Sequence, residues 1–129
     1  MEKPLALKVM VIDDSKTIRR TAELLLEHAG CRVITAIDGF DALAKIVDER
    51  PDIIFIDVMM PRLDGYQTCA LLKSNSAFSA IAVVMLSSRD GLFDKARGRS
   101  VGSDQFLTKP FSKQELLAAI GAHVPGFAA

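Results

Sequence analysis

Five short apolar runs recur along this chain, and their spacing constrains the fold more than any other feature. They are Lys8-Val9-Met10-Val11-Ile12, Arg32-Val33-Ile34-Thr35-Ala36, residues 52–56, residues 81–86 and Gln105-Phe106-Leu107. Successive starts lie 20 to 29 residues apart, which is room for a strand, a helix and two turns. The first, third and fourth runs are continuously apolar rather than alternating, as expected of strands covered on both faces of a parallel sheet.

The segments between the runs read as helices. Ser15 is placed to cap the first, which puts Ile18, Ala22 and Leu25 on one face and stops at Gly30. Asp38 caps the second, with Phe40, Leu43 and Val47 inward and Pro51 beyond its end. Asp64 caps a third, running to about residue 74. A fourth, over about 92–100, is short and holds Gly98, so it is the weakest by propensity. Ser112-Lys113-Gln114-Glu115 is a capping-box pattern ahead of Leu116, Leu117 and Ile120. The order is (βα)5, an α/β pattern, and right-handed crossovers then place helices on both faces of one doubly wound parallel sheet.

Composition narrows the function. The 129 residues suit one domain, and 50% hydrophobic with 25% charged residues excludes a disordered or fibrous chain. Sixteen basic residues balance sixteen acidic ones, which argues against a general nucleic-acid binder. The apolar runs fall far short of the roughly 18 residues of a membrane span, and Met1-Glu2-Lys3-Pro4 does not open a signal peptide. Cys31 and Cys69 sit in apolar stretches without metal spacing, as buried thiols of a cytosolic protein do. The neutral total hides a division. Residues 1–64 hold 9 basic and 12 acidic groups, and residues 65–129 hold 7 and 4.

In open α/β sheets, ligands bind beyond the carboxyl ends of the strands. Asp13 and Asp14 close the first strand, Asp57 the third and Ser87 the fourth, while Lys109 follows the fifth. Three carboxylates this close repel unless one is protonated or a cation joins them. An all-oxygen set without His or thiolate favours a hard ion, Mg2+ before Ca2+. Lys109 could meet a phosphate oxygen as a point charge, and Ser87 could donate a hydrogen bond to another. Such a rim suits a phosphoryl group, and Asp57, leaving the central strand, is the best-placed nucleophile. His28 and His123, near helix ends, read as structural, as do Tyr66 and Cys69 on the third helix. Met59 and Met60 read as core or rim fillers.

At these residues the sequence resembles the response-regulator receiver (CheY-like) family of two-component signalling. The motifs are Val11-Ile12-Asp13-Asp14-Ser15, Asp57-Val58-Met59-Met60-Pro61-Arg62-Leu63-Asp64-Gly65, Met85-Leu86-Ser87-Ser88 and Leu107-Thr108-Lys109-Pro110-Phe111. Within the family the likeness runs toward stand-alone receivers of chemotaxis-like systems that control type IV pili and twitching. Residues 13–21, 36–42 and 64–70 carry it. The resemblance implies a flavodoxin-like sheet in the order 2-1-3-4-5 and a single receiver domain over 1–129, its core about 8–123, with no output domain. Output is then protein–protein contact.

The resemblance also assigns roles. Asp57 accepts phosphate from a CheA-like histidine kinase, and Asp14, Asp57 and the Met59 carbonyl hold Mg2+, with Asp13 acting mostly through water. Lys109 binds the phosphoryl group, and its peptide bond to Pro110 is expected to be cis. Ser87 and Phe106 form the switch, and the face of the fourth helix, fifth strand and fifth helix changes shape for a downstream protein effector, the pilus motor or its regulators. A cytoplasmic monomer without nucleic acid or membrane insertion is implied.

Phe106 stands where motility receivers commonly carry tyrosine, so a switch there works by burial alone. Ser88 stands where alanine is frequent. Met59 and Arg89 are neither the amide nor the acid of fast-hydrolysing members, which implies slow loss of phosphate. A haloacid-dehalogenase-like phosphatase would need an acid two residues after Asp57, where Met59 stands. A flavodoxin-like FMN carrier would need a Ser/Thr- and Gly-rich loop in place of Asp13-Asp14. An unphosphorylated docking module would gain nothing from an acidic pocket. A phosphate shuttle or sink uses the same residues and stays open.

Overall fold

A computed structural model describes residues 6–88 and 92–127. Its elements alternate strictly: β1 (Lys8–Ile12), α1 (Lys16–His28), β2 (Arg32–Ala36), α2 (Gly39–Glu49), β3 (Ile53–Asp57), α3 (Gly65–Lys73), β4 (Ala82–Ser87), α4 (Leu92–Ser100), β5 (Gln105–Thr108) and α5 (Lys113–His123). All strand pairs are parallel, in the order β2-β1-β3-β4-β5. The three continuously apolar runs are the three central strands, with every residue of β3 and β4 buried. The edge strands β2 and β5 are only partly covered, which is why their sequences carry more polar residues.

Successive side chains of each strand point to opposite faces, so the sheet divides two cores. Val9, Val11, Ile53, Phe55, Val84 and Leu86 pack toward α1 and α5, where Ala22, Leu26, Leu116 and Ile120 meet them. Met10, Ile12, Ile54, Ile56, Val83 and Met85 pack on the other face with Ala42, Ile46, Tyr66, Cys69 and Leu72. Both cysteines are free and buried, and burial pushes the Cys69 thiol up to about 11. No helix of the described residues is long and apolar enough to cross a membrane.

The expected helix caps are present. Ser15, Asp38, Asp64 and Ser112 each accept a backbone N–H of the following first turn, and Asp64 and Ser112 complete capping boxes with Gln67 and Glu115.

The inward face of α2 differs from expectation. Phe40 and Val47 are 54% and 55% exposed, and Leu43 is half-buried, while Gly39, Ala42 and Ile46 face the core. The reason is the close approach of the β3–α3 loop. A Cβ on Gly39 would collide with the Thr68 hydroxyl and lie 2.8 Å from the Leu63 side chain, so a larger residue there would force those side chains to move. The helix is thereby turned by one residue, and Phe40 emerges to lie 5.6 Å from the Arg62 guanidinium. On α1, similarly, Leu26 is the fully buried leucine and Leu25 packs beside it.

Ile46→Ala is therefore expected to destabilise the fold by about 2–5 kcal/mol. Val47→Ala, one residue on, should stay within about 0.5 kcal/mol of the wild type. Urea unfolding of the two variants distinguishes this face from the one read by periodicity.

Candidate phosphoacceptor site

The strand register assembles the site. Ile12 pairs with Ile56 across β1 and β3, so the next residues, Asp13 and Asp57, emerge side by side. Ser87 closes β4 opposite Thr108, and its carbonyl accepts the Lys109 N–H at 2.7 Å. β5 lies two strands from β3, about 10 Å away. Lys109 spans that gap because its side chain is long: Nζ lies 2.7 Å from Asp13 Oδ2 and 3.1 Å from Asp57 Oδ1. The Lys109–Pro110 bond is cis, as expected.

Each carboxylate has its own surroundings. Asp13 is fully buried, and its Oδ1 accepts the Ser15 N–H at 2.9 Å. Its carbonyl accepts the Arg19 guanidinium at 2.7 Å. Asp57 is 6% exposed and accepts a long 3.4 Å bond from the Met59 N–H. Asp14 is exposed. Oxygens of Asp13, Asp14 and Asp57 lie within 4.8 Å of one another. Such an all-oxygen cluster, with one member open to water, fits a divalent hard cation that keeps part of its hydration shell.

The charges are unevenly balanced. Burial, and then the Asp13 charge, push the Asp57 carboxyl above the usual carboxylate value, although Lys109 and the Met59 N–H pull it back. Burial alone would lower the Lys109 ammonium. Hydrogen bonding and charge from Asp13, and then from Asp57, carry it above the ordinary lysine value. Lys109 thus stays charged, while Asp57 remains the less satisfied acid.

Asp13, Asp14, Asp57 and Lys109 converge as expected, and Ser87 is buried at the end of β4 on the same rim. Met59 is a rim residue, 65% exposed, and Met60 is buried. Ser88 is exposed, and Arg89 lies outside the described residues. Phe106 is not in the cluster: it packs, partly buried, against the core beside Met85. His28 Nδ1 lies 3.0 Å from Lys113 Nζ, and His123 Nε2 lies 2.8 Å from Gln105 Oε1, contacts that suit structural roles. A cleft of about 760 Å3, lined by Leu7, Lys8, Arg50 and Phe127 among others, opens among residues that include none of this cluster.

Two contributors lie outside the set read from the sequence. Arg19 braces the Asp13 backbone, and its signal is its place four residues after the Ser15 cap, over the first turn of α1. Arg62 sits in the left-handed region at φ 68° and pairs with Asp38 at 2.6 Å, which shapes the loop after Asp57. Nothing in the sequence marks a non-glycine for that conformation.

The model of the response regulator receiver domain matches residues 9–121. Protein PilG of Pseudomonas aeruginosa is 78% identical over 121 residues, covering 94% of this chain and 90% of that protein. The alkaline phosphatase synthesis transcriptional regulatory protein PhoP of Bacillus subtilis is 41% identical over 115 residues, covering 89% of this chain. The chain spans about half the length of PhoP and of the response regulator MprA of Mycobacterium ulcerans, at 47% and 50%. Among solved structures, chemotaxis protein CheY4 of Vibrio cholerae superposes with a TM-score of 0.89 at 33% identity, covering 93% of this chain and 100% of that one.

A buried acid raised above its unfolded value contributes stability below the ordinary carboxylate range and loses it as pH rises through the raised value. Asp57→Asn is therefore expected to raise the melting temperature by a few degrees at pH 7 without divalent cation. That advantage should shrink as pH falls through the raised value and be gone below the ordinary carboxylate value. Thermal melts across pH check both the sign and the window.

Proposed function

The chain belongs to the response regulator receiver family, and on that premise we propose that Asp57 is the phosphoacceptor of a histidine-kinase phosphorelay. Its Oδ attacks the phosphorus of a phosphohistidine on a CheA-like kinase; the new O–P bond forms as the N–P bond breaks, and the imidazole leaves. Support comes above all from one observation, the three clustered carboxylates with a lysine ammonium shared between two of them. Asp57 is the less tightly held of the two buried acids: Lys109 Nζ lies 3.1 Å from it against 2.7 Å from Asp13, and its backbone donor, the Met59 N–H, is 3.4 Å away against 2.9 Å for the Ser15 N–H on Asp13.

Asp13, Asp14 and Asp57, with the Met59 carbonyl, would hold Mg2+, which when bound offsets their repulsion and the charge of an incoming phosphoryl group. Lys109 keeps a fixed positive charge beside the acceptor oxygen and can follow the phosphoryl oxygens once Asp57 is esterified. Ser87 supplies a hydroxyl on the same rim. Phe106, partly buried against Met85, changes its burial with the state of the site, and the α4–β5–α5 face presents the change to a downstream effector protein.

The 78% identity to PilG supports a role in type IV pilus or twitching motility through the pilus motor or its regulators. We place it in the cytoplasm as a monomer.

Incubation with Mg2+ and acetyl phosphate should add one phosphoryl group by intact mass, absent in Asp57→Asn. Modification at another residue, or none, overturns the assignment. Decay of the acyl phosphate should be slower than in fast-hydrolysing receivers, because Met59 and Arg89 offer neither an amide nor an acid to orient water; a half-life of seconds would contradict this.

A further inference from the structure

The first turn of α3 is built directly onto the backbone after the phosphoacceptor. A Cβ on Gly65 would collide with the Asp57 carbonyl oxygen and lie 2.8 Å from the Val58 Cα, and the Gly65 N–H donates to the Val58 carbonyl at 3.1 Å. There is no slack between them, so α3 takes its position from residues 57–58.

Three groups on or next to α3 then reach α4 and its end. The Tyr66 hydroxyl donates to the Asp94 carbonyl at 3.3 Å. The Arg97 guanidinium lies 4.3 Å from the Tyr66 ring centroid and 3.9 Å from Asp64 Oδ2. The Cys69 thiol donates to the Val101 carbonyl at 3.6 Å. Among the α4 residues whose side chains are described, 94–100, only Gly98 is buried. Across from it, a Cβ on Gly98 would lie 3.7 Å from the Phe106 ring, which has no hydroxyl to offer α4. Among the described residues, the side-chain polar contacts to α4 come from Tyr66 on α3 and from its Asp64 cap, and Tyr66 is more than the packing residue its place in the sequence suggests.

We propose that Tyr66 and Arg97 are positioning residues that carry the state of Asp57 to α4 through α3, a route separate from Ser87 and Phe106. It rests on Asp57 being the phosphoacceptor. An O–H···O bond of 3.3 Å already exceeds the usual 2.5–3.0 Å, so a shift of a few tenths of an ångström decides whether it holds. A phosphoryl group adds charge and bulk beside the backbone on which Gly65 packs. The first turn of α3 moves with that backbone, the Tyr66 hydroxyl moves against Asp94, and the place of Arg97 between ring and carboxylate changes with it. The balance between docked and released α4 shifts accordingly.

The test is hydrogen exchange by mass spectrometry on the 129-residue chain, with and without Mg2+ and beryllium fluoride as a stable phosphoryl mimic. Wild type, Tyr66→Phe, Arg97→Gln and Arg97→Lys are compared. Without the mimic, Tyr66→Phe and Arg97→Gln should exchange α4 amides about two- to fivefold faster. The mimic-induced difference at α4 should shrink by a similar factor, while the difference at residues 57–64 persists. Arg97→Lys, which keeps a cation over the ring, should recover part of the effect. The Arg97 side chain is 51% exposed, so its variants are safe to fold. A wild-type response at α4 in both Tyr66→Phe and Arg97→Gln overturns the route. No response at residues 57–64 of the wild type overturns the phosphoacceptor assignment instead, and the exchange rates without mimic then decide the tether alone.

Discussion

A parallel sheet delivers the carboxyl end of every strand to one edge, and here that edge receives charges that could not be buried singly. Asp13 and Asp57 leave neighbouring strands side by side, and both are nearly closed to water. An unpaired buried carboxylate costs several kcal/mol, and two adjacent ones cost more. The Lys109 ammonium, brought from β5, lies within 3.1 Å of both. One cation thus ties the ends of β1, β3 and β5 together, and the remaining imbalance falls on Asp57. The residue least comfortable in the fold is the one proposed to react, as is common where function and stability compete.

The helices divide the labour around that edge. α1 supplies the Ser15 N–H and the Arg19 guanidinium that hold Asp13 in place. α3 begins on the backbone of Asp57 and Val58 with glycine at the contact, so its first turn is packed directly against those residues. α4, with little described burial of its own, takes side-chain polar contacts from Tyr66 and Asp64 among the described residues. In the proposed route α3 lies beside Asp57 and α4 beyond it, and the element farther from the site is where a change in shape is easiest to read.

How much of this could be read without coordinates varies by residue. The five strands, five helices and four capping residues follow from local rules of hydrophobic run length and N-cap chemistry, which act within a few residues of the chain. Asp13, Asp14, Asp57, Ser87 and Lys109 were legible as a set because a parallel sheet brings all strand ends to one edge whatever the strand order. The inward face of α2 was not. Phe40 and Val47 have the right spacing and hydrophobicity, but the core-facing stripe was chosen by the contact of Gly39 with Leu63 and Thr68, far along the chain. Arg62 in a left-handed conformation and the Tyr66 hydroxyl on α4 were hidden for the same reason: each is held by a partner from another element.

Sequence alone therefore determined the kinds of element, their order and the chemical inventory of the rim, because periodicity, caps and strand ends are local. Tertiary structure decided which acid Lys109 grips more closely, which carboxyl is left under strain of burial, how α2 is rotated and where α4 is tethered. Those outcomes depend on distances between segments that are remote in the chain, set by packing only once all five strands are in register.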